Sequence, residues 1–412
     1  MKIALLHTRY VPAVAGVELI LEQHARLFAE AGHEVTVLTG SGESRDDRVR
    51  VEILPELASP TTGAEATEAA LRPYLEGVEA ADCVFAHNVL TMPFHLGCTA
   101  ALWRLADRLP PGRVINWVHD LAAANPDYRA ADYLAKGAEA ANGKEGWALL
   151  SRRHPAMRVV AISEWRAAQF EELTGEPVDA VIPNGIDPLG HLNLTPRVAQ
   201  LAAEHRLLDS DVILFQPTRI LRRKNIELGL RLVAELIERG CRARLLITGA
   251  PDGHNPASAA YHAELLDLRE RLGLGKSVLF LSELFPVAKG DLAALYTLAD
   301  VLWFPSKQEG FGLPVLEGVL HRLPVYCADL PPMNAFGLPG VEFFDPAGNP
   351  AELSGHFLRF LEKHSAFLQT RRAVAGRFSW EVLWPKIEAL LRPFDPNGHT
   401  GSSDPTFQRN PL

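Results

Sequence analysis

Cysteine is scarce in this chain of 412 residues, and the few cysteines lie far apart. They are Cys83, Cys98, Cys241 and Cys327, and no two of them have the Cys-x-x-Cys spacing. The sequence therefore predicts neither a zinc site nor a disulfide framework, and it favours a reducing compartment. We expect a cytoplasmic protein.

Long apolar runs are missing as well. No stretch approaches the roughly 18 apolar residues of a membrane-spanning helix. The apolar run at the start is interrupted by His7 and Arg9, and it is too short for the core of a signal peptide. We expect no transmembrane segment. An amphipathic helix with a dense Lys/Arg face is not visible either, which leaves peripheral membrane contact open but without support.

Positive charge is in deficit. The chain has 41 Lys and Arg residues against 50 Asp and Glu residues, a net charge of −9. A surface adapted to nucleic acid would need the opposite balance, so no nucleic-acid partner is predicted. An anionic ligand must then be held by local positive charge. The length exceeds what one hydrophobic core usually serves, which favours two domains.

Short apolar runs alternate with segments of helical periodicity, a rhythm that predicts parallel sheets covered by helices on both faces. The rhythm stops at the turn-rich residues 183–188 and then begins again. We predict an α/β fold with two doubly wound Rossmann-like domains, followed by a helix that crosses back toward the first domain and a disordered tail rich in Pro, Gly, Ser and Asn. The predicted boundaries are 1–184, 185–378, 379–394 and 395–412.

The turn after the first strand leads directly into a helix that begins near Gly16. Amides at a helix N-terminus attract phosphate, and a glycine lets the ligand approach the backbone closely. Gly16 could instead serve only a tight turn. The GxGxxG fingerprint is absent, which disfavours a dinucleotide-dependent enzyme.

His119 follows the strand-like run 114–118. Ligands of open α/β sheets bind beyond the carboxyl ends of the strands, so this position suits a site residue. An isolated histidine is, however, more often structural.

A basic cluster, TRILRRKN, follows the run 212–216. Arg219 and Lys224 in this cluster could hold a diphosphate and offset the negative charge that grows on a departing nucleotide. We interpret Arg222 and Arg223 as solvated loop residues.

The segment FPSKQEGFGLPVLEG places Glu309 and Glu317 eight positions apart, with Gly310 and Gly312 between them. The glycines allow main-chain amides to face a ligand, and each carboxylate can accept paired hydrogen bonds from vicinal hydroxyls of a sugar or a ribose. A retaining hydrolase would also need two carboxylates, but these must face each other across a glycosidic bond.

Taken together, these segments resemble the retaining GT-B glycosyltransferases of the large family 4, also called glycosyl transferases group 1. EGFGLPVLE resembles the E-x7-E motif of that family, and AGVE, HD, PNGID, TRILRRKN and FSWE occur in the expected order. The resemblance implies two Rossmann-like domains facing across a cleft. It also implies transfer of a hexose from a nucleotide-diphosphate sugar, of the UDP-glucose or GDP-mannose type, to a hydroxyl of a small polar or glycan acceptor.

The same resemblance implies roles for single residues. Arg219 and Lys224 would bind the diphosphate, Glu309 would accept from sugar hydroxyls, and His119 would lie beside the C6 end of the sugar. Glu317 would hold the ribose. The amides expected to contact the donor are those of Gly16, Phe311, Gly312 and Leu313. Ala15 stands where many relatives have a glycine.

No cofactor and no essential metal are expected. Asp209, Ser210 and Asp211 spell DxD, the metal signature of the other major glycosyltransferase fold, but here the motif precedes a strand instead of following one. Two alternatives remain open: a non-hydrolysing nucleotide-sugar epimerase, and a non-catalytic module that binds nucleotide sugar.

Overall fold

The computed structural model describes residues 1–12, 16–78, 80–134, 143–251 and 256–394, with the backbone alone at 256 and 367. Contacts within the chain divide it into two compact units. Unit 1 comprises Met1–Gly185 together with the chain from Trp380 onward, and unit 2 comprises Ile186–Ser379. Ala15 and the predicted disordered tail at 395–412 lie outside the described residues.

Unit 1 is built on a parallel sheet of seven strands with the order β3-β2-β1-β4-β5-β6-β7. Its strands are β1 (Lys2–Leu6), β2 (Glu34–Thr39), β3 (Val49–Ile53), β4 (Cys83–His87), β5 (Val114–Val118), β6 (Arg158–Ala161) and β7 (Ala180–Val181). Its helices are α1 (Gly16–Glu30), α2 (Pro55–Ala58), α3 (Ala64–Leu75), α4 (Leu96–Ala106), α5 (Ala130–Leu134), α6 (Gly143–Leu149), α7 (Glu164–Thr174) and, late in the chain, α16 (Trp380–Ala389).

The central strands of unit 1 are buried on both faces, as their unbroken apolar sequences predict. Successive side chains of a strand point to opposite faces, so β1 contributes Ile3 and Leu5 to one core cluster and Ala4 and Leu6 to another. The first cluster also contains Trp380 of α16. Helix α16 thus completes the core of the first unit.

Unit 2 is built on a parallel sheet of six strands with the order β10-β9-β8-β11-β12-β13. Its strands are β8 (Val212–Gln216), β9 (Ala243–Ile247), β10 (Val278–Phe280), β11 (Val301–Phe304), β12 (Val325–Ala328) and β13 (Val341–Phe344). Its helices are α8 (Pro188–His191), α9 (Pro196–Glu204), α10 (Ile226–Glu238), α11 (Pro256–Arg271), α12 (Lys289–Leu298), α13 (Leu313–Leu320), α14 (Pro350–Lys363) and α15 (Ser365–Phe378).

The strand β8 shows how the core of unit 2 is divided between the faces of its sheet. Leu214 joins one buried cluster, while Ile213 and Phe215 join the other. The predicted fold class, with two doubly wound Rossmann-like sheets, is confirmed in each unit taken by itself.

Each strand order reverses at one point, between β1 and β4 in unit 1 and between β8 and β11 in unit 2. In open α/β sheets the crevice for a ligand opens at this switch point, beyond the carboxyl ends of the two strands. The segments that follow these four strands are therefore where a site is expected. In the part of the chain that the structure describes, no helix has the length and apolarity to cross a membrane.

Candidate functional site

In unit 2, the basic cluster and the segment around Glu309 follow the two strands that flank the switch point. A 3-10 turn at Arg222–Lys224 comes after β8, and Asn225 then begins α10 with a left-handed backbone, φ 51°. Asparagine tolerates this conformation better than most residues. Its side-chain amide donates to the carbonyls of Pro305 and Pro346, each at 3.2 Å. These hydrogen bonds fix the basic turn against the segment after β11.

The fixed turn brings Lys224 and Glu309 together. The Lys224 ammonium donates to Oε1 of Glu309, and the Ser306 hydroxyl donates to the same oxygen over 2.6 Å. Arg223 Nη1 lies 3.4 Å from the other oxygen, Oε2, and donates to the carbonyl of Gln308 over 3.0 Å. Each Glu309 oxygen therefore has a cationic partner.

Burial governs the electrostatics of this pair, since the side chains of Lys224 and Glu309 are only 11% and 8% exposed. Burial lowers the pKa of Lys224, the Glu309 carboxylate opposes that change, and the charges of Arg223 and Arg219 add to it. The Lys224 ammonium also lies 5.6 Å from the centre of the Phe304 ring. Two cationic side chains, Lys224 and Arg223, therefore share the single carboxylate of Glu309, and Lys224 is largely shielded from solvent.

The remaining arginines of the cluster differ in orientation. Arg219 is exposed, and its side chain has no ion pair or hydrogen bond with the residues that the structure describes. Arg222 donates to Glu264 over 2.5 Å and lies 4.9 Å from the centre of the Tyr261 ring. Arg223, interpreted from the sequence as a solvated loop residue, is 37% exposed, and its guanidinium also reaches Glu309.

Gly312 forms the N-terminus of α13 with a left-handed backbone, φ 93°. A Cβ atom at this position would lie 2.7 Å from Met333 Cγ, so both conformation and space require glycine. The flanking side chains of Phe311 and Leu313 are 53% and 58% exposed. The first amides of a helix have no intrahelical acceptor, and here they lie beside the Glu309 segment.

Glu317 lies on the second turn of α13 and has a partner of its own. The buried Tyr296 donates its hydroxyl to Oε2 of Glu317 over 2.6 Å. Burial, and then the nearby carboxylate, raise the pKa of Tyr296, so the phenol remains a donor. Tyr296 also stacks on His321, with the ring centres 5.0 Å apart.

In unit 1, three adjacent strands each end in a histidine. His7 follows β1, His87 closes β4 and His119 follows β5. His87 Nδ1 lies 3.0 Å from His119 Nε2, and His7 Nδ1 donates to the carbonyl of His87 over 2.8 Å. The switch point of unit 1 is thus lined by imidazoles.

The backbone that carries His119 is also held. The Asn88 side-chain oxygen accepts from the amides of His119 and Asp120, at 3.3 and 2.9 Å. Burial, followed by the charge of His7, lowers the pKa of His119 to about 3. The imidazole is therefore neutral at physiological pH, where it can donate from one nitrogen and accept at the other.

Gly16 is the first residue of α1 and is exposed. A Cβ atom there would meet nothing within 4 Å, so space does not demand a glycine. Glu18, in the first turn of α1, is buried and lies 3.8 Å from Arg9 Nε.

The DxD motif lies at the amino end of β8, at the opposite end of that strand from Lys224. Asp211 Oδ1 accepts from Arg242 over 2.7 Å, and Asp209 accepts from Arg206 over the same distance. Within the described ranges, no group of three or more His, Cys, Asp and Glu side chains is arranged to hold a metal ion.

Sequence reasoning missed several residues of these two clusters, namely Ser306, Arg223, Tyr296, His7, His87 and Asn88. The strand-end rule that selected His119 applies equally to His7 and His87, because each closes an apolar run. Tyr296 carries no such signal, since it lies on α12, distant in sequence from Glu317.

Two family models match the chain, one for each unit. The model for Glycosyltransferase Family 4 matches residues 14–188, and the model for Glycosyl transferases group 1 matches residues 199–375. Two Rossmann-like units, each with candidate site residues at the switch point of its sheet, are typical of the GT-B fold. The chain belongs to the group 1 glycosyltransferases of family 4.

Similar curated proteins are D-inositol 3-phosphate glycosyltransferases. The protein of this name from Kineococcus radiotolerans is 33% identical over 179 residues, which is 42% of this chain and 40% of that protein. The one from Mycobacterium tuberculosis is 31% identical over 246 residues, 58% of this chain and 48% of that protein. These matches span about half, or less, of the length of the relatives.

Among solved structures, the sucrose-phosphate synthase of Thermosynechococcus elongatus is 20% identical with a TM-score of 0.40, covering 94% of this chain and 98% of that one. A glycosyltransferase from Rickettsia africae is 15% identical with a TM-score of 0.36, covering 95% and 98%.

Proposed function

We propose that this protein is a retaining glycosyltransferase that moves a hexose from a nucleotide-diphosphate sugar to a hydroxyl of a small polar or glycan acceptor. The observation that carries the proposal is the Lys224–Glu309 pair at the switch point of unit 2. Family membership supports the class of reaction.

The diphosphate of the donor is proposed to bind Arg219 and Lys224. Lys224 is largely shielded from water and its ammonium contacts Glu309. Arg219 is exposed, and among the described residues its side chain has no ion pair or hydrogen bond that a diphosphate would have to displace. As the sugar–phosphate bond breaks, negative charge grows on the leaving nucleotide. Fixed cations stabilise that charge without rearranging at the moment of reaction.

The hydroxyls of the sugar are proposed to bind Glu309, and those of the ribose to bind Glu317. Ser306 and Lys224 hold Glu309 in place, while Tyr296 holds Glu317. The two carboxylates are therefore oriented before a ligand arrives, and catalysis proceeds mainly by positioning and charge stabilisation.

Retention is proposed without a protein nucleophile. Glu309 already accepts hydrogen bonds or ion pairs from a lysine, a serine and an arginine, and these contacts favour a role as a hydrogen-bond acceptor over a role as a nucleophile. The acceptor would attack the face from which the nucleotide leaves, and the departing phosphate would take the acceptor proton. No essential metal is proposed.

The test begins with nucleotide release from a panel of UDP and GDP sugars, with and without acceptors. The acceptor panel includes inositol phosphates, because the similar curated proteins are named for one. Release that depends on an acceptor supports transfer. Conversion of the donor without any acceptor would indicate an epimerase, and binding without turnover would indicate a binding module.

The variants Lys224→Ala and Glu309→Ala should each lower kcat/KM by about 100-fold or more, equivalent to roughly 3 kcal/mol of transition-state stabilisation. Arg222→Ala is the matched control, because it removes a cation from the same turn that is directed toward Glu264 and Tyr261. Near-normal rates in both site variants, with the fold intact, would refute the proposed site.

A further inference from the structure

The contact between His87 and His119 joins two imidazoles that are both buried, at 0% and 5% exposure. His87 Nδ1 and His119 Nε2 are 3.0 Å apart, so one of these nitrogens carries a hydrogen and the other accepts it. The nitrogen that donates in this contact determines whether the second nitrogen of each ring is a donor or an acceptor.

The second nitrogen of His87 decides the direction. His87 Nε2 is buried and has no hydrogen-bond partner among the described residues. If His87 accepted from His119, its own hydrogen would be on Nε2, and an N–H group would be buried without an acceptor. Orphaned backbone N–H groups are rarer than under-satisfied backbone carbonyls in folded proteins, and the same preference favours an unprotonated Nε2 on His87. This preference assigns the hydrogen of His87 to Nδ1, from which it would donate to His119.

This direction fixes the state of His119. A neutral imidazole that accepts at Nε2 carries its hydrogen on Nδ1. His119 Nδ1 has no partner among the described residues, and it is not among the fully buried unpaired atoms. The ring thus presents an available N–H donor at the carboxyl end of β5.

We propose that His87 is a positioning residue, which donates to His119 Nε2 and thereby holds His119 as an Nδ1–H donor toward a substrate hydroxyl. This inference rests on the proposed function for the identity of the ligand, a sugar, and not for the tautomer itself.

His87 is well placed for such a role because the protein holds it firmly. Its carbonyl accepts from His7 over 2.8 Å, and its ring stacks on Trp117 with the centres 5.6 Å apart. The next residue, Asn88, accepts from the amide of His119. Two consecutive residues, His87 and Asn88, therefore fix His119. His87 contacts the side chain of His119, and Asn88 contacts its backbone amide.

The first experiment measures the tautomer without substrate, by ¹⁵N NMR of histidine-labelled protein, with His119→Gln used to assign the His119 signals. We expect a protonated Nδ1 and an unprotonated Nε2 on His119. A protonated Nε2 would overturn the proposal, whatever the protein does in a transfer assay.

The second experiment compares His87→Leu with His87→Asn. The amide nitrogen of asparagine occupies nearly the place of Nδ1, so it can donate to His119, whereas leucine cannot. In His87→Leu the Nδ1–H signal of His119 should give way to a mixture of tautomers, and kcat/KM should fall about tenfold or more. In His87→Asn both should recover to within about threefold of the original protein.

His95→Leu serves as the control for general damage to unit 1, since His95 is also buried but bonds to the carbonyl of Glu56. It should lower stability and leave the His119 signals unchanged. If His87→Leu and His87→Asn behave alike in both measurements, His87 has only a structural role and the proposal is wrong. If the tautomer responds as expected while no variant affects transfer, His119 does not donate to a substrate hydroxyl and the proposal is wrong, although the transfer itself supports the proposed function. If the original protein transfers no sugar, the proposed function fails, while a tautomer that responds as expected still supports the positioning of His119 by His87.

Discussion

The hydroxyl of Tyr296 donates a hydrogen bond to Oε2 of Glu317, over a distance of 2.6 Å. Tyr296 is 2% exposed and Glu317 is half-buried. The tyrosine therefore occupies one oxygen of the Glu317 carboxylate and fixes the orientation of the other oxygen.

Removing that hydroxyl with Tyr296→Phe should weaken nucleotide binding. The carboxylate of Glu317 loses its fixed orientation, at a cost of roughly 1 kcal/mol, or about fivefold in the dissociation constant. Calorimetry with UDP and GDP measures this effect. Thr297→Val is the control, because among the described residues the neighbouring hydroxyl donates within its own helix, to the carbonyl of Ala293. Unchanged affinity for the nucleotide that binds the original protein would show that Glu317 acts independently of Tyr296.

Gly312→Ala should destabilise unit 2 by about 1–2 kcal/mol, because a left-handed backbone is unfavourable for alanine and the new Cβ would crowd Met333. Thermal unfolding measures the loss. Gly310→Ala is the matched control two residues away, where a Cβ would meet nothing within 4 Å and the backbone is not left-handed. Equal stability of the two variants would contradict this account of Gly312.

Acid should destabilise unit 1 through His24. Burial, and then the charge of His119, lower the pKa of His24 from 6.5 to about 3. Between these values the unfolded chain binds a proton that the folded unit excludes. The stabilisation is therefore complete above pH 6.5 and is lost as the pH falls toward 3. At pH 5 the loss is on the order of 2 kcal/mol for this histidine.

His24→Phe tests that assignment, since it keeps an aromatic ring against Trp117 and Trp380 and removes the titrating group. The fall in unfolding temperature between pH 7 and pH 5, followed by calorimetry, should be smaller in this variant. His191→Gln, an exposed histidine of unit 2, should retain the original pH dependence. A slope that is equally steep in all three proteins would assign the acid sensitivity to other groups.

Chelation should leave transfer unaffected. Asp211 lies at the amino end of β8 and is engaged by Arg242, so Asp211→Asn should change stability slightly and kcat/KM by less than about twofold. Assays after EDTA treatment, with magnesium or manganese added back, measure metal dependence directly. Loss of transfer on chelation, reversed by either metal, would overturn the proposal of metal independence.

The sequence predicts the inner strands of both sheets and not all of their edges. β4 and β5 are apolar at nearly every position because helices cover both of their faces. The strands β3, β7 and β13 lie at sheet edges and contain partly exposed positions. An edge strand needs no unbroken apolar run, so its pattern resembles that of a loop.

The candidate site divides in a similar way. Lys224 and Glu309 could be selected because each lies in a segment that follows an apolar strand, and the structure brings them together. Tyr296 and His87 could not be assigned partners, because their hydrogen bonds join segments 21 and 32 residues apart whose meeting depends on tertiary packing. The roles of all these residues toward a ligand remain predictions.

The segment from Trp380 to Phe394 belongs to unit 1, although the whole of unit 2 precedes it in the chain. Trp380, Ile387 and Leu390 lie in the core cluster that contains Ile3 and Phe28, and Arg158 donates to the carbonyls of Leu390 and Arg392. During synthesis, the core of unit 1 can therefore close fully only after α16 has been made. Unit 2 is contiguous, so all of its residues have been synthesised before the residues of unit 1 are complete.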